Sequence, residues 1–332
     1  MQRFIVGTGR CGSTLLSRML AVSPEMVSIF EFFNGLQSPR RFARESISAQ
    51  ELWSIIAQPH AFVTMVTSRG HVVDEVVYPF DRPGSRYDRS DDLPWLLVAT
   101  LPRLSDEPDA LFDETRKFVQ ALPEQPMARH YVQLFDWLTS QCGGSLWNER
   151  SGSGIDYTGE LADLYPDARF LHLHRCGEEA SLSMREHAAF RLAISIVYDL
   201  DPEVDVATAL ARLRPEPGVD DPVARLLERR PDASHFGRFW SDQMGNGLRA
   251  LKDLRPEQYL EVRFEDLILS PIETLNGIAR FFEMDPQIDG WIEKASALVE
   301  REPSSRMVRL DEAERARLRA ACRTANLLVG RT

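Results

Sequence analysis

Phe4-Ile5-Val6-Gly7-Thr8-Gly9-Arg10-Cys11-Gly12-Ser13-Thr14-Leu15-Leu16-Ser17-Arg18-Met19-Leu20 is the stretch that decides the fold. A short apolar run enters a glycine-rich turn, and a run with apolar residues at helical spacing leaves it. This is a strand, a loop and a helix, with the loop's N–H groups converging on the helix N-terminus. Orphan donors and the helix dipole both favour an anion there. The glycines let the backbone approach phosphate oxygens closely, and Ser13 and Thr14 add hydroxyl donors.

Gly7 and Gly12 keep the G-x-x-x-x-G spacing of a Walker A loop, but Ser13 stands where its lysine belongs. The cation lies inside the loop instead, at Arg10. In this order, Arg-Cys-Gly-Ser-Thr-Leu-Leu after a strand, the segment resembles the 5′-phosphosulfate loop of the sulfotransferase family. Members bind 3′-phosphoadenosine 5′-phosphosulfate (PAPS) and move its sulfuryl group to a hydroxyl or amine. The resemblance implies cofactor contacts from Arg10, Cys11, Gly12, Ser13, Thr14 and Leu15. Alone, the glycine turn also suits any α/β protein.

Composition sets the outer bounds. The 332 residues carry a net charge of −11, with 43% apolar residues. That supports a substantial core and argues against a nucleic-acid surface, so an anionic cofactor has to be held by local cations. Cys11, Cys142, Cys176 and Cys322 are scattered without C-x-x-C spacing, which suggests a reducing compartment and no structural zinc. The chain opens on its first strand, and its longest apolar run, Pro94 to Ala99, is far too short for a membrane span. A soluble cytoplasmic protein is the expectation.

Val27 to Phe33 reads as a second strand or its exit, with Glu31 isolated among Phe30, Phe32 and Phe33. Desolvation there raises a carboxyl pKa and makes a better base. A solvent-facing strand end is the plain alternative. Many bacterial sulfotransferases resemble this layout, and the resemblance implies Glu31 as catalytic base. Ser145 to Gly152 reads as a strand ending in a polar loop; by the same resemblance Arg150 faces the sulfate, with a surface ion pair as its plain alternative. Gly152 stands where some relatives have a histidine, which leaves Glu31 first, Glu149 second, and His71 or His130 behind them.

The strand Arg169 to His174 runs into Arg175-Cys176-Gly177 and a helix containing Ser183. The family places an arginine at such a strand end and a serine eight residues on, both on the cofactor's 3′-phosphate. Arg175 and Ser183 have that spacing. A guanidinium fork and a hydroxyl suit phosphate chemically. His172 and His174 share a strand face, but a packed pair is the expected reading over a metal site. Gln258 to Leu267 resembles the family's Tyr-Glu-Asp-Leu element and is expected to scaffold the sheet without touching cofactor. The basic loop Ser304 to Arg309 resembles one that returns to the 3′-phosphate, which implies Arg306 there.

The expectation is one α/β domain over 1–332, with a P-loop-like, mostly parallel central sheet, helices on both faces and a helical insertion. Variable stretches at about 34–144 and 190–233 are expected to be acceptor-side, the first packing over the sheet and the second a surface excursion. The implied function is PAPS-dependent sulfuryl transfer to a small-molecule, glycan or lipid hydroxyl, less readily an amine, without a metal. A P-loop-like small-molecule kinase and a non-catalytic nucleotide-binding module are the alternatives. The acceptor and the oligomeric state are not legible.

Overall fold

The computed structural model describes residues 1–202, 204–205, 210–299 and 305–331. Glu203, in the acidic stretch of the second variable region, and Ser304, in the basic loop, lie outside them. The strands are β1 (Arg3–Val6), β2 (Met26–Phe30), β3 (Ser46–Ile47), β4 (Gln125–Pro126), β5 (Leu146–Arg150), β6 (Arg169–His174) and β7 (Tyr259–Arg263). The α-helices used below are α1 (Ser13–Leu20), α2 (Ala49–Ile56), α3 (Ala61–Thr67), α4 (Pro108–Gln120), α5 (Met127–Gln141), α6 (Thr158–Leu164), α7 (Gly177–Glu186) and α8 (Ala188–Val197). They continue with α9 (Pro222–Glu228), α10 (Ala233–Lys252), α11 (Phe264–Leu269), α12 (Pro271–Phe282), α13 (Trp291–Ser296) and α14 (Glu312–Leu328).

The main sheet has the order β2-β5-β1-β6-β7, and every pairing in it is parallel. β1 sits at the centre because both of its edges are taken, by β5 and β6. Alternation along the strands explains why helices must cover both faces. Phe4, Val6, Val27, Ile29 and Phe170 face one core, filled by Leu134, Phe135 and Leu138 of α5 and by the insertion. Ile5, Leu171, Leu173 and Val262 face the other, filled by Leu16 and Met19 of α1, Leu275 and Phe282 of α12, and Trp291 of α13. Around Trp240 and Phe236 of α10, a third cluster joins α7 and α14. Gly177 is required there, since a Cβ would come within 2.5 Å of the Trp240 ring.

Helix starts follow local chemistry. Ser48 accepts from the Glu51 N–H, Asp232 from Ser234 and Asp311 from Glu314, each satisfying an orphan donor. The insertion is helical as expected: it carries α2, α3, α4 and α5, and a π-helical turn at Leu96–Thr100, where the apolar run is wholly buried. No helix among the described residues is long and apolar enough to cross a membrane.

The second variable stretch is more than a surface excursion. Val223, Leu226 and Leu227 of α9 are buried in the same core as the insertion. Arg69, at the end of α3, locks the two stretches together. Its guanidinium meets the Asp221 carboxylate at 2.7 and 3.2 Å and donates to the carbonyls of Met65, Leu213 and Arg212. Asp221 also caps α9 through the N–H groups of Val223 and Ala224. The Arg69 side chain is 2% exposed and that of Asp221 15%. Removing one member of a buried pair strands the other charge. Asp221→Ala should therefore cost about 3–5 kcal/mol in urea unfolding. A loss below ~1 kcal/mol would mean that the pair behaves like an exposed one.

Candidate active site

Four chain segments meet at the carboxyl edge of the sheet. β1 leads into the glycine loop, β2 into Glu31, β5 into Ser151 and Gly152, and β6 into Arg175. With β1 central, this is the switch point where open parallel sheets place ligands. The cleft there has a volume of about 900 Å³. Gly9, Arg10, Gly12, Ser13 and Thr14 line it from the loop, with Glu31, Arg150, Arg175, Ser183 and Arg306 from elsewhere in the chain.

The loop is shaped as its glycines require. Gly12 takes φ 99° as the residue preceding α1, and a Cβ there would lie 2.1 Å from the Phe264 ring. Arg10 is also left-handed, at φ 62°. The first N–H groups of α1 are those a helix leaves without internal partners. Cys11 and Leu15 do not line the cleft. The Cys11 side chain is fully buried and Leu15 packs on the same core, so neither side chain faces a ligand.

Arg10 and Ser183, 173 positions apart, meet directly: Arg10 Nε donates to Ser183 Oγ at 3.1 Å. Arg10 Nη1 reaches Asp74 Oδ2 at 2.9 Å. Arg175 lies over the Phe264 ring at 4.8 Å, the same ring that packs on Gly12. Phe264 thus braces both the loop and the guanidinium, and Glu265 accepts from the Cys176 N–H at 3.1 Å. Glu179 draws Arg306 towards Arg175: its carboxylate lies 3.9 Å from Arg175 and 3.8 Å from Arg306, and it accepts from Ser305 Oγ and the Arg306 N–H.

Glu31 and Arg150 form a buried ion pair, at 1% and 3% side-chain exposure. Glu31 Oε2 also accepts from the Gly152 N–H at 2.9 Å and from Asn34 Nδ2 at 3.2 Å. Burial raises its carboxyl, while Arg150 pulls the other way. Glu31 itself sits at φ 54°, held by its N–H on the Arg150 carbonyl at 2.7 Å and by the Trp95 indole on its own carbonyl. A left-handed glutamate costs on the order of 1–3 kcal/mol and persists where its surroundings fix it. Arg150 continues to Thr14 Oγ1 at 2.6 Å and lies 4.8 Å from the Phe30 ring centre. The pair thereby ties β2 and β5 to the loop.

Sequence reading missed Asn34, Asp74, Glu75, Arg103 and His187, all of which line the cleft. Nothing in their spacing announces them; the insertion folds the first four in. Of the histidines held in reserve as bases, His130 is buried away from the cleft, bonded to Gln125 and the Ile47 carbonyl, and His71 does not line it. His172 and His174 stack at 5.2 Å, bonded to Tyr259 and Glu261; burial lowers them to about 3 and about 4, so both are neutral.

Glu149 is fully buried, and desolvation pushes its carboxyl from 4.5 to about 8 against the hydrogen bond from Ser151. Between those two values the folded chain holds a proton that the unfolded chain has lost. Stability should fall as pH rises through that window, by about 1.4 kcal/mol per unit. Glu149→Gln should remove this slope. Urea unfolding at pH 5 and pH 8 checks it: wild type should lose more stability than the variant, and equal losses would contradict the assignment.

No curated protein matches the chain in sequence. Among solved structures, the sulfotransferase domain from the curacin biosynthetic pathway is similar at 13% identity and TM-score 0.50, over all of this chain and 98% of that one. The sulfotransferase domain of the Synechococcus PCC 7002 olefin synthase shares 17% identity at TM-score 0.48, over all of this chain and 95% of that one. Sulfotransferase STF9 from Mycobacterium avium shares 16% at 0.47, over all of this chain and 77% of that one. At such identities the first of these speaks for the fold alone. Sequence carries the family: residues 3–214, well over half of the chain, match the model described as the sulfotransferase family, and the protein belongs to that family.

Proposed function

We propose that the protein transfers the sulfuryl group of PAPS to a hydroxyl, less readily an amine, of a small-molecule, glycan or lipid acceptor. The observation that carries this reading is the direct bond between Arg10 and Ser183. It links a loop suited to a 5′-phosphosulfate with the Arg175–Ser183 element suited to a 3′-phosphate, and both line one cleft. Arg306, drawn in through Glu179, adds positive charge on the 3′ side.

In this reading the acceptor oxygen attacks sulfur in line with the departing 5′-phosphate. Arg10 and Arg150 neutralise charge that grows on the sulfuryl oxygens and on the leaving phosphate. The loop's N–H groups, with Ser13 and Thr14, hold the phosphate from the helix side. Thr14 also receives Arg150 Nη2, which fixes that guanidinium beside the loop.

Glu31 takes a different part from the one its aromatic neighbours suggest. Three donors already occupy its carboxylate, and one of them is the guanidinium needed at the sulfuryl group. We assign Glu31 the task of aiming Arg150. Glu31→Gln should then slow turnover by about 10²-fold, as misplacement of a catalytic group does. The charged groups that act on it are Arg150, Glu75 and Arg103, while Glu149 behind it keeps its proton to about pH 8. If it only aims Arg150, the variant keeps the shape of the wild-type pH–rate profile. Loss of the limb that rises with pH would instead make Glu31 the base.

Nucleotide binding tests the donor assignment. Adenosine 3′,5′-bisphosphate should bind more tightly than adenosine 5′-monophosphate, since only the former reaches Arg175. A charge-assisted hydrogen bond contributes about 1.5–3 kcal/mol, so Arg175→Ala should erase most of the preference. Equal affinities in calorimetry of the wild type would sink the assignment.

A further inference from the structure

One guanidinium in the cleft is held in place yet has no counter-ion. Arg41 lines the cleft from the first variable stretch and makes no ion pair among the described residues. Its Nη1 donates to the Leu36 carbonyl at 2.9 Å, and its own carbonyl accepts from the Tyr131 hydroxyl at 2.8 Å. The guanidinium lies 5.2 Å from the Phe42 ring centre and 5.9 Å from that of Tyr157. Nε is buried without a partner; Nη2 has no partner either but remains accessible. Asp156, a carboxylate of the same cleft next in sequence to Tyr157, takes the Gln243 amide instead, at 2.6 Å. A guanidinium braced in this way has lost its freedom before any ligand arrives, so an anion keeps more of its interaction with it.

The turn that holds Arg41 also reaches the proposed sulfuryl site. Leu36 follows the 3₁₀ turn Phe33–Gly35, and Asn34 within that turn donates to Glu31, the partner of Arg150. Leu36 is five positions after Glu31, which keeps the two within about 18 Å of each other. Leu36, Val63, Val73 and Trp95, all from the same variable stretch, give this cleft buried apolar wall. Trp95 stands beside the site itself, its indole on the Glu31 carbonyl and its ring so close to Gly35 that a Cβ there would fall 1.7 Å from it. Arg40, the adjacent cation, is taken by Glu45 and Glu51. One positive charge is therefore on offer, which suits a monoanion better than a phosphate in a chain of net charge −11.

We propose that the acceptor is a hydroxylated carboxylic acid with an apolar body, its carboxylate held at Arg41 Nη2 and its hydroxyl presented at the Arg150 end of the cleft. This rests on the sulfuryl-transfer reading above and narrows it from hydroxyl compounds in general to hydroxy acids. Trp95 and the valines cover the body of the acid. Arg41 fixes the acceptor and takes no part in the charge that grows at sulfur, so its effect falls on the choice between acceptors and not on donor binding.

The test compares two acids, 10-hydroxydecanoate and 3-(4-hydroxyphenyl)propanoate, each with its uncharged methyl ester, using 35S-labelled PAPS. The wild type should favour acid over ester by about 10- to 10²-fold in kcat/KM for at least one pair, the size of a charge-assisted hydrogen bond. Arg41→Gln should bring that ratio close to one, Arg41→Lys should keep part of it, and both should still bind adenosine 3′,5′-bisphosphate. Calorimetry of the acids with the bisphosphate-loaded protein reads the same contact without turnover, and the wild type should bind the preferred acid more tightly than Arg41→Gln by a similar factor. The wild-type ratio and Arg41→Lys carry the test if Arg41→Gln does not fold. An ester used as well as its acid, an acid preference that survives Arg41→Gln, or bisphosphate binding with transfer to neither acid would each overturn the proposal while sulfuryl transfer stands. A wild-type protein that binds no bisphosphate and labels none of the four compounds contradicts the sulfuryl-transfer reading itself, and the proposal falls with it.

Discussion

The Glu31–Arg150 ion pair is the constraint around which the carboxyl edge of the sheet is arranged. Two charges taken out of water are held only if their remaining hydrogen-bonding capacity is met. Gly152, Asn34, Thr14 and the Phe30 ring meet it here, and they come from three separated stretches of chain. Removing either charge would leave the other stranded among them. Such a pair does not maximise stability, since apolar residues of similar volume often do as well. Its effect is positional: a second guanidinium is fixed next to a glycine loop that already carries Arg10.

The same device recurs at other cations of the cleft. Arg10 is met by Asp74, Arg150 by Glu31, and Arg175 and Arg306 share Glu179. For a chain with net charge −11 to hold the proposed anionic donor, cations have to be concentrated locally, and cations this close repel one another. One carboxylate per cation or pair keeps them together. Asp74 links this set to His187, so Arg10 and the imidazole belong to one connected network.

Much of this was legible where a short-range rule applies. Gly7 to Gly12 read as a tight turn suited to an anion, and strand β6 with Arg175 and Ser183 kept the spacing of a strand end and a following helix. Glu31 stood out because a single acid among phenylalanines is conspicuous. Its partner was not legible, since Arg150 arrives through the pairing of β2 with β5, and register across 119 positions leaves no local trace. Asp74, Glu75 and His187 were invisible for the same reason: His187 lies 113 positions from Asp74 and 112 from Glu75. Phe264 read as scaffold, and the structure gives it a second use beneath Arg175.

Isotope transfer tests the central claim most directly. The protein is incubated in parallel with [35S]PAPS and with [γ-32P]ATP and magnesium, against one panel of alcohols, phenols and amines. Sulfuryl transfer predicts sulfur label on a hydroxyl compound, with adenosine 3′,5′-bisphosphate formed in equal amount and no phosphorus label on any acceptor. Phosphorus label on the acceptor with no sulfur label would contradict it, and would return the loop to phosphoryl chemistry despite its missing lysine.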